Sequence, residues 1–354
     1  MRRRVWILAV SLMAALFIAD AILWEIAAKR LEAGFEAWAD RMRTVGLTIA
    51  HGRTHSAGWP FAARLTIGEL VIGADPARTP MFVWQASRIT LSVALSDPRF
   101  LEIEVEGTQR LRLPGLPEVR IEADRFAAGT TLASNDESRE FEVLLSNLRA
   151  NPGGANGPAP GLAKAQGFAI AQARAHLGFE PLAGPGDKVI QFSIEASDIA
   201  LPPVVHWPLG ARLASLAAEG GVVGPLPPIQ GLTPWAASWR DGGGSVEVQR
   251  LVLAWGPLNL AASATLALDD QLQPMGAGNS HVTGYGATLD ALADSGVLTR
   301  SAVTAAKAVL SLLAGTPAEG ETPDVDVPLT LQFRTLSMRQ VPLLRLPEID
   351  WPVQ

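Results

Sequence analysis

Cysteine is absent from all 354 residues. That excludes disulfide staples, thiolate metal sites, cysteine nucleophiles and attachment of a lipid through an amino-terminal cysteine. Fold stability must come from packing. Three signature motifs are also missing. There is no Gly-x-Ser-x-Gly elbow. Asp241-Gly242-Gly243-Gly244-Ser245 is followed by no Lys-Ser or Lys-Thr pair and opens a strand pattern, which excludes a phosphate cradle. Gly284-Tyr285-Gly286 lacks the third glycine of a dinucleotide fingerprint. Basic residues are scarce outside the start: without Arg2, Arg3 and Arg4, 26 Lys and Arg face 35 Asp and Glu, about −9. Such a surface suits neither nucleic acid nor anionic headgroups, and no nucleic-acid partner is expected.

What is present begins at the first residues. Three arginines precede an apolar run from Val5 to Ala19 that only Ser11 interrupts, and Asp20 and Glu25 close it. Basic flanks stay on the cytoplasmic side, so the chain after about Lys29 is expected outside. Val5 to Ala28 is long enough to cross a bilayer, with Trp6 and Trp24 near its two ends. Residues 1–28 are therefore expected to be a transmembrane signal anchor, single-pass in the inner membrane, with the bulk of the chain periplasmic. A cleaved signal peptide ending at Ala19-Asp20-Ala21 is the competing interpretation. Against it, a helical apolar pattern continues through Trp24, Ile26, Ala27, Leu31, Phe35 and Trp38.

Beyond the anchor, 48% apolar residues are enough for a sizeable core, and 59 glycines and prolines suit many short strands joined by turns. Period-two alternation recurs at Arg64–Ile72, Arg88–Leu95 and Leu101–Glu106, with a slip of phase at Gly68-Glu69. It is looser at Gln109–Leu113, Glu118–Ala123 and Phe141–Leu145. One buried and one wet face per strand is the mark of antiparallel sheet. Asn151 to Gly161 reads as a loop. Leu162, Ala165, Ala169, Ala173 and Leu177 are spaced as on a helix. Strands are expected again at Val189–Glu195, Val246–Trp255, Leu258–Leu268 and Val327–Leu336, with a helix over about Ala287–Leu313 broken near Ser295-Gly296. The expected fold is α+β, mainly antiparallel β, with curved, elongated sheets and a few flanking helices. Its parts are 29–150, a Gly/Pro-rich linker and helix at 151–188, and 189–354. Trp59-Pro60-Phe61-Ala62-Ala63-Arg64-Leu65 is echoed by Trp207-Pro208-Leu209-Gly210-Ala211-Arg212-Leu213, and Gln85 with Arg88–Leu91 more loosely by Gln249–Leu253. Two related halves, or chance, account for this.

Candidate chemistry is thin. His51 and His55 are four apart, but Gly52 argues against a helix there, and on a strand they stand about 13 Å apart, too far for one ion. Glu102, Glu104 and Glu106 form a stripe at period two, expected to be a wet sheet face, and Asp324-Val325-Asp326 has too few oxygens for a calcium loop. No metal, cofactor or catalytic residue is assigned, and no enzyme is expected. The ten tryptophans, three of them before proline, are expected to cover strand ends.

The amino-terminal pattern, with Ala33-Gly34-Phe35-Glu36-Ala37-Trp38, Gly46-Leu47-Thr48 and Gly58-Trp59-Pro60-Phe61-Ala62-Ala63-Arg64-Leu65, resembles a bacterial family, domain of unknown function 2125. So does Leu253-Ala254-Trp255-Gly256-Pro257-Leu258 with Ala267-Leu268-Asp269 and Gln273-Pro274-Met275-Gly276. The resemblance implies an exported, membrane-tethered envelope protein and carries over no activity. In layout the chain is more distantly similar to AsmA-like envelope proteins, whose elongated sheets form lipid-lined grooves. The leading expectation is a non-enzymatic periplasmic module whose concave apolar sheet face holds an acyl chain or another hydrophobic ligand. Leu65, Ile67, Ile89, Leu91, Val93, Ile103 and Val105 are the expected lining. The alternative is a structural or assembly protein that docks an envelope partner through a sheet edge or the Pro225–Gln230 segment. An uncleaved anchor predicts that intact-mass measurement of the membrane-extracted chain retains residues 1–20, and their loss is the signature of a cleaved leader.

Overall fold

The computed structural model describes residues 2–44, 46–74, 82–113, 117–132, 138–153, 167–181, 184, 186–202, 206–227, 232–313, 324–338 and 341–351. The chain divides into two compact units, Met1–Leu132 with Val143–Ala165, and Ala133–Glu142 with Gln166–Gln354. The expected parts 29–150 and 189–354 fall largely in the first and second unit respectively.

The first unit opens with one helix, α1 (Arg2–Thr44), whose character changes along its length. From Leu12 to Ile22 its large apolar side chains are exposed, Leu12, Leu16 and Ile18 among them. From Ala28 onward it is amphipathic: Ala28, Leu31, Phe35, Ala39 and Met42 recur every three or four residues and turn to the sheet. Seven strands follow: β1 (Leu47–Ala50), β2 (Thr54–Ala57), β3 (Ala62–Ala74), β4 (Val83–Ala94), β5 (Asp97–Arg112), β6 (Val119–Glu122) and β7 (Arg125–Thr131). β1 and β2 both pair with β3, β3 with β4, β4 with β5, and β5 with β6 and β7, all antiparallel. The last strand, β8 (Arg139–Pro152), contributes residues to both units and pairs with β6.

Register makes one face of this sheet apolar. Leu65, Leu91 and Ile103 lie side by side, as do Ile67, Ile89 and Val105. At Gly68-Glu69, where the sequence pattern slips, Glu69 takes φ 50° and makes no pair with β4, while the register on either side is unchanged, Gly68 with Arg88 and Leu70 with Ala86. Beyond this break Leu70 and Ile72 lie on the apolar side. Helix and sheet close over a core of Phe35, Ala39, Ile49, Leu65, Ile67, Leu70, Ala86 and Ile89. Polar contacts fix the helix along its length. Trp24 Nε1 donates to the Ala62 carbonyl at 3.0 Å, and Thr54 Oγ1 to Glu32 at 2.9 Å. His51 Nε2 lies 3.3 Å from Glu36, and Arg43 Nη2 donates to the Ile49 carbonyl at 2.9 Å.

In the second unit β9 (Phe168–Phe179), β10 (Lys188–Ala200) and β11 (Arg212–Val223) precede a short helix, α2 (Leu232–Asp241). After it come β12 (Ser245–Trp255), β13 (Leu258–Leu268), β14 (Pro274–Thr283), α3 (Tyr285–Asp294), α4 (Arg300–Leu313), β15 (Asp324–Gln332), β16 (Thr335–Met338) and β17 (Val341–Arg345). Strands β9 to β17 pair antiparallel in sequence order. The bundled end packs Tyr285 and Leu310 onto Val325, Val327 and Met338.

Two expectations are corrected. The helix expected at Leu162–Leu177 is strand β9 over its described part, while 154–166 lie outside the described residues. A spacing of four fits both periods: Ala169, Ala173 and Leu177 share a strand face as well as a helix face. The run Val327–Leu336 is a hairpin, β15 and β16, turning at Phe333-Arg334 with φ 49° and 62°. The segment 46–61, to which the sequence assigned no strand, holds two short strands, β1 and β2. Of the Asn151–Gly161 loop, Asn151 and Pro152 end β8, and of Pro225–Gln230 only 225–227 are described. Ile67, fully buried, anchors the core row, and Ile67→Ala is expected to lower unfolding free energy by about 2–5 kcal/mol in a chemical denaturation series in detergent.

Candidate functional site

Helix α1 packs chiefly on β1 and β3, but the apolar rows beneath it continue onto β4 and β5. Between the helix and these outer parts of the rows lies a cavity of about 990 Å³. Leu23, Ile26, Ala27, Leu31, Phe35 and Trp38 form its helical wall. Ile67, Leu70 and Ile72 from β3, Trp84, Ile89, Leu91 and Val93 from β4, and Leu101, Ile103 and Val105 from β5 form the other. Leu95 and Pro98, at the β4–β5 turn, close one end. Its charged lining residues are Asp20, Arg30 and Arg41, all on the helix. The volume is at the upper end of the usual range for small-molecule pockets, and the wall is mostly apolar. It is not sealed, since Leu23 is 61% and Ile26 44% exposed.

Six of the seven residues expected from the sequence, Ile67, Ile89, Leu91, Val93, Ile103 and Val105, line this cavity. Leu65 does not: it is 1% exposed and belongs to the closed core under α1. Missing from the sequence-based set is the helical wall. The spacing of Leu31, Phe35 and Trp38 marked these residues as an amphipathic continuation of the anchor, but nothing in it told which sheet they meet.

The opposite face of β3–β5 is polar. Glu102, Glu104 and Glu106 share a cleft of about 320 Å³ with Arg64, Thr66, Thr90 and Ser92. Arg88 pairs with Glu106 at 3.3 Å and Arg125 lies 3.9 Å from Glu102, both pairs exposed. This is a solvated, charge-balanced surface of small energetic weight.

Two of the histidines pair with carboxylates. His51 stands between Glu36 and the Gly52 carbonyl, with its ring against Phe35. His281 lies 3.4 Å from Asp324 and 2.9 Å from Asp326 on an exposed strand face. Among the described residues, no group of three or more His, Asp or Glu could hold a metal, and neither cleft is lined by histidine. Tryptophans cap the backbone: Trp207 donates to the Pro202 carbonyl, Trp255 to Gly210 and Trp351 to Leu272. The two echoed segments share one such bond. Ala62 and Gly210 hold the same place in the repeat, and each carbonyl takes an indole N–H from another element.

The second unit carries its own apolar face. Leu177, Phe192, Gly220 and Val248 form one row across β9–β12, and Ala175, Ile194, Ala218, Leu251 and Ala262 another. Leu177 and Ile194 remain 41% and 43% exposed.

Together these features define a mainly antiparallel β protein, led by a helix long and apolar enough to cross a membrane, with an apolar cavity against that helix. The chain matches, over residues 24–347, the bacterial family described as an uncharacterized protein conserved in bacteria, DUF2125, and belongs to it. Neither the curated proteins nor the solved structures contain a match. Because Ile103 lines the cavity, Ile103→Trp has room that Leu65→Trp lacks: Leu65→Trp in the closed core is expected to cost about 1–3 kcal/mol and Ile103→Trp less than that, read as shifts of the denaturation midpoint.

Proposed function

We propose that this DUF2125 protein is a non-enzymatic envelope module, anchored in the inner membrane by α1, with its bulk on the periplasmic side, and that the cavity against α1 holds an acyl chain or a similar hydrophobic guest. The observation that carries this reading is the cavity itself, about 990 Å³, walled mostly by apolar side chains and shared with the helix α1. The orientation follows from Arg2, Arg3 and Arg4 ahead of the apolar run. An apolar ligand in such a site gains by leaving water, about 25 cal/mol for each Å² of apolar surface buried. Leu23 and Ile26, exposed at the helical wall, give a chain an apolar route from the bilayer side.

The test is native mass spectrometry after extraction in a mild detergent, on the wild type and on Ile103→Trp with Leu91→Trp. Retained lipid on the wild type, reduced at least about tenfold in the filled variant, is the expected result. A protein that carries no lipid and instead returns one reproducible protein partner sinks the reading in favour of an assembly role.

A further inference from the structure

We propose that the turn Trp59-Pro60-Phe61 is a second membrane contact, seated beside α1 at the outer edge of the bilayer; this rests on the reading of α1 as the anchor. The argument begins with length. From Val5 to Phe17 the helix rises only about 18 Å, short of the roughly 30 Å hydrocarbon core, whereas Val5 to Trp24 rises about 29 Å. Yet the folded body already reaches the helix at Phe17. Its ring packs edge-on to Trp59 at 4.8 Å, and Trp24, about two helical turns on, bonds the Ala62 carbonyl. The helix cannot span the core unless the residues level with positions 17–24 lie within it or at its edge, and Trp59, Pro60 and Phe61 are those residues.

Their side chains suit that place. Phe61 is 83% exposed and Trp59 40%. Aromatic rings favour the membrane interface, where one side is apolar and the other wet. The turn does not require such exposure: in the echoed segment Leu209, at the position of Phe61, is only 9% exposed. The anchor-side copy has a large aromatic ring in the open where the other copy buries a leucine. With the turn at the bilayer edge, the Leu95–Pro98 end of the cavity meets the lipid, since Leu95 N–H donates to the Phe61 carbonyl.

The cysteine-free chain allows a direct test with single spin labels on the full-length protein in phosphatidylcholine and phosphatidylglycerol vesicles. Labels go at Phe61→Cys, at Leu12→Cys within the anchor, and at Leu113→Cys just beyond the far end of β5, with circular dichroism confirming the fold of each. Dissolved oxygen, which concentrates in lipid, and a water-soluble nickel chelate report depth. The expected result is a label at 61 several-fold more accessible to oxygen than to nickel, like that at 12 and unlike that at 113. A shielded label at 12 with a label at 61 as open to nickel as that at 113 overturns this proposal alone. An open label at 12 overturns it together with the anchor.

Discussion

Everything in the first unit depends on one unbroken helix that serves two solvents. From Leu12 to about Asp20 α1 offers exposed apolar side chains; beyond Ala28 it offers a single stripe. The stripe commits the helix to β1 and β3, and four polar contacts spread over its length, from Trp24 to Arg43, fix it there. Individually such bonds contribute about 1 kcal/mol, but they act on a rod. A helix held at both ends of its docked length cannot swing, so whatever its apolar end enters is held in a set relation to the sheet.

The same rigidity explains the cavity. A helix is about 10 Å wide, and neighbouring strands are spaced by almost half of that, so one helix roofs two strands well and a third and fourth poorly. Rows such as Ile67–Ile89–Val105 run beyond that roof. An ordinary domain would add a second helix there. In the second unit α3 and α4 do this over β14–β16, burying Val325, Val327 and Met338. In the first unit the described residues place no second helix over β4 and β5, and the space remains.

How much of this the sequence disclosed depended on how cleanly a pattern selected one period. Strict alternation at Leu101–Glu106 identified a strand with one wet face, and the glutamates lie on it. The phase slip at Gly68-Glu69 became a local break in the strand, Glu69 at φ 50°, after which Leu70 and Ile72 lie on the apolar side with no residue added to the register. Where spacing was ambiguous the reading failed: alanines four apart in β9 suit either period, and the alternating Gln172, Arg174 and His176 on the other face were the better guide. Phe333-Arg334 carried no glycine or proline, so its turn left no mark. The cavity was half legible. Its strand wall followed from alternation, but its roof depends on which sheet α1 meets, a long-range fact that no local period encodes, and that is why Leu65 and Ile67, neighbours in pattern, fall on different sides of the cavity boundary.

The central claim, that α1 is one rigid element joining a membrane-embedded length to the sheet, is tested most directly by hydrogen exchange of the full-length protein in nanodiscs. The account predicts that amides from Trp24 to Thr44 exchange as slowly as those of β3, continuous with a protected segment before them. Fast exchange across 24–44, with protection only in the apolar length ahead of Asp20, would contradict it and leave α1 a tether.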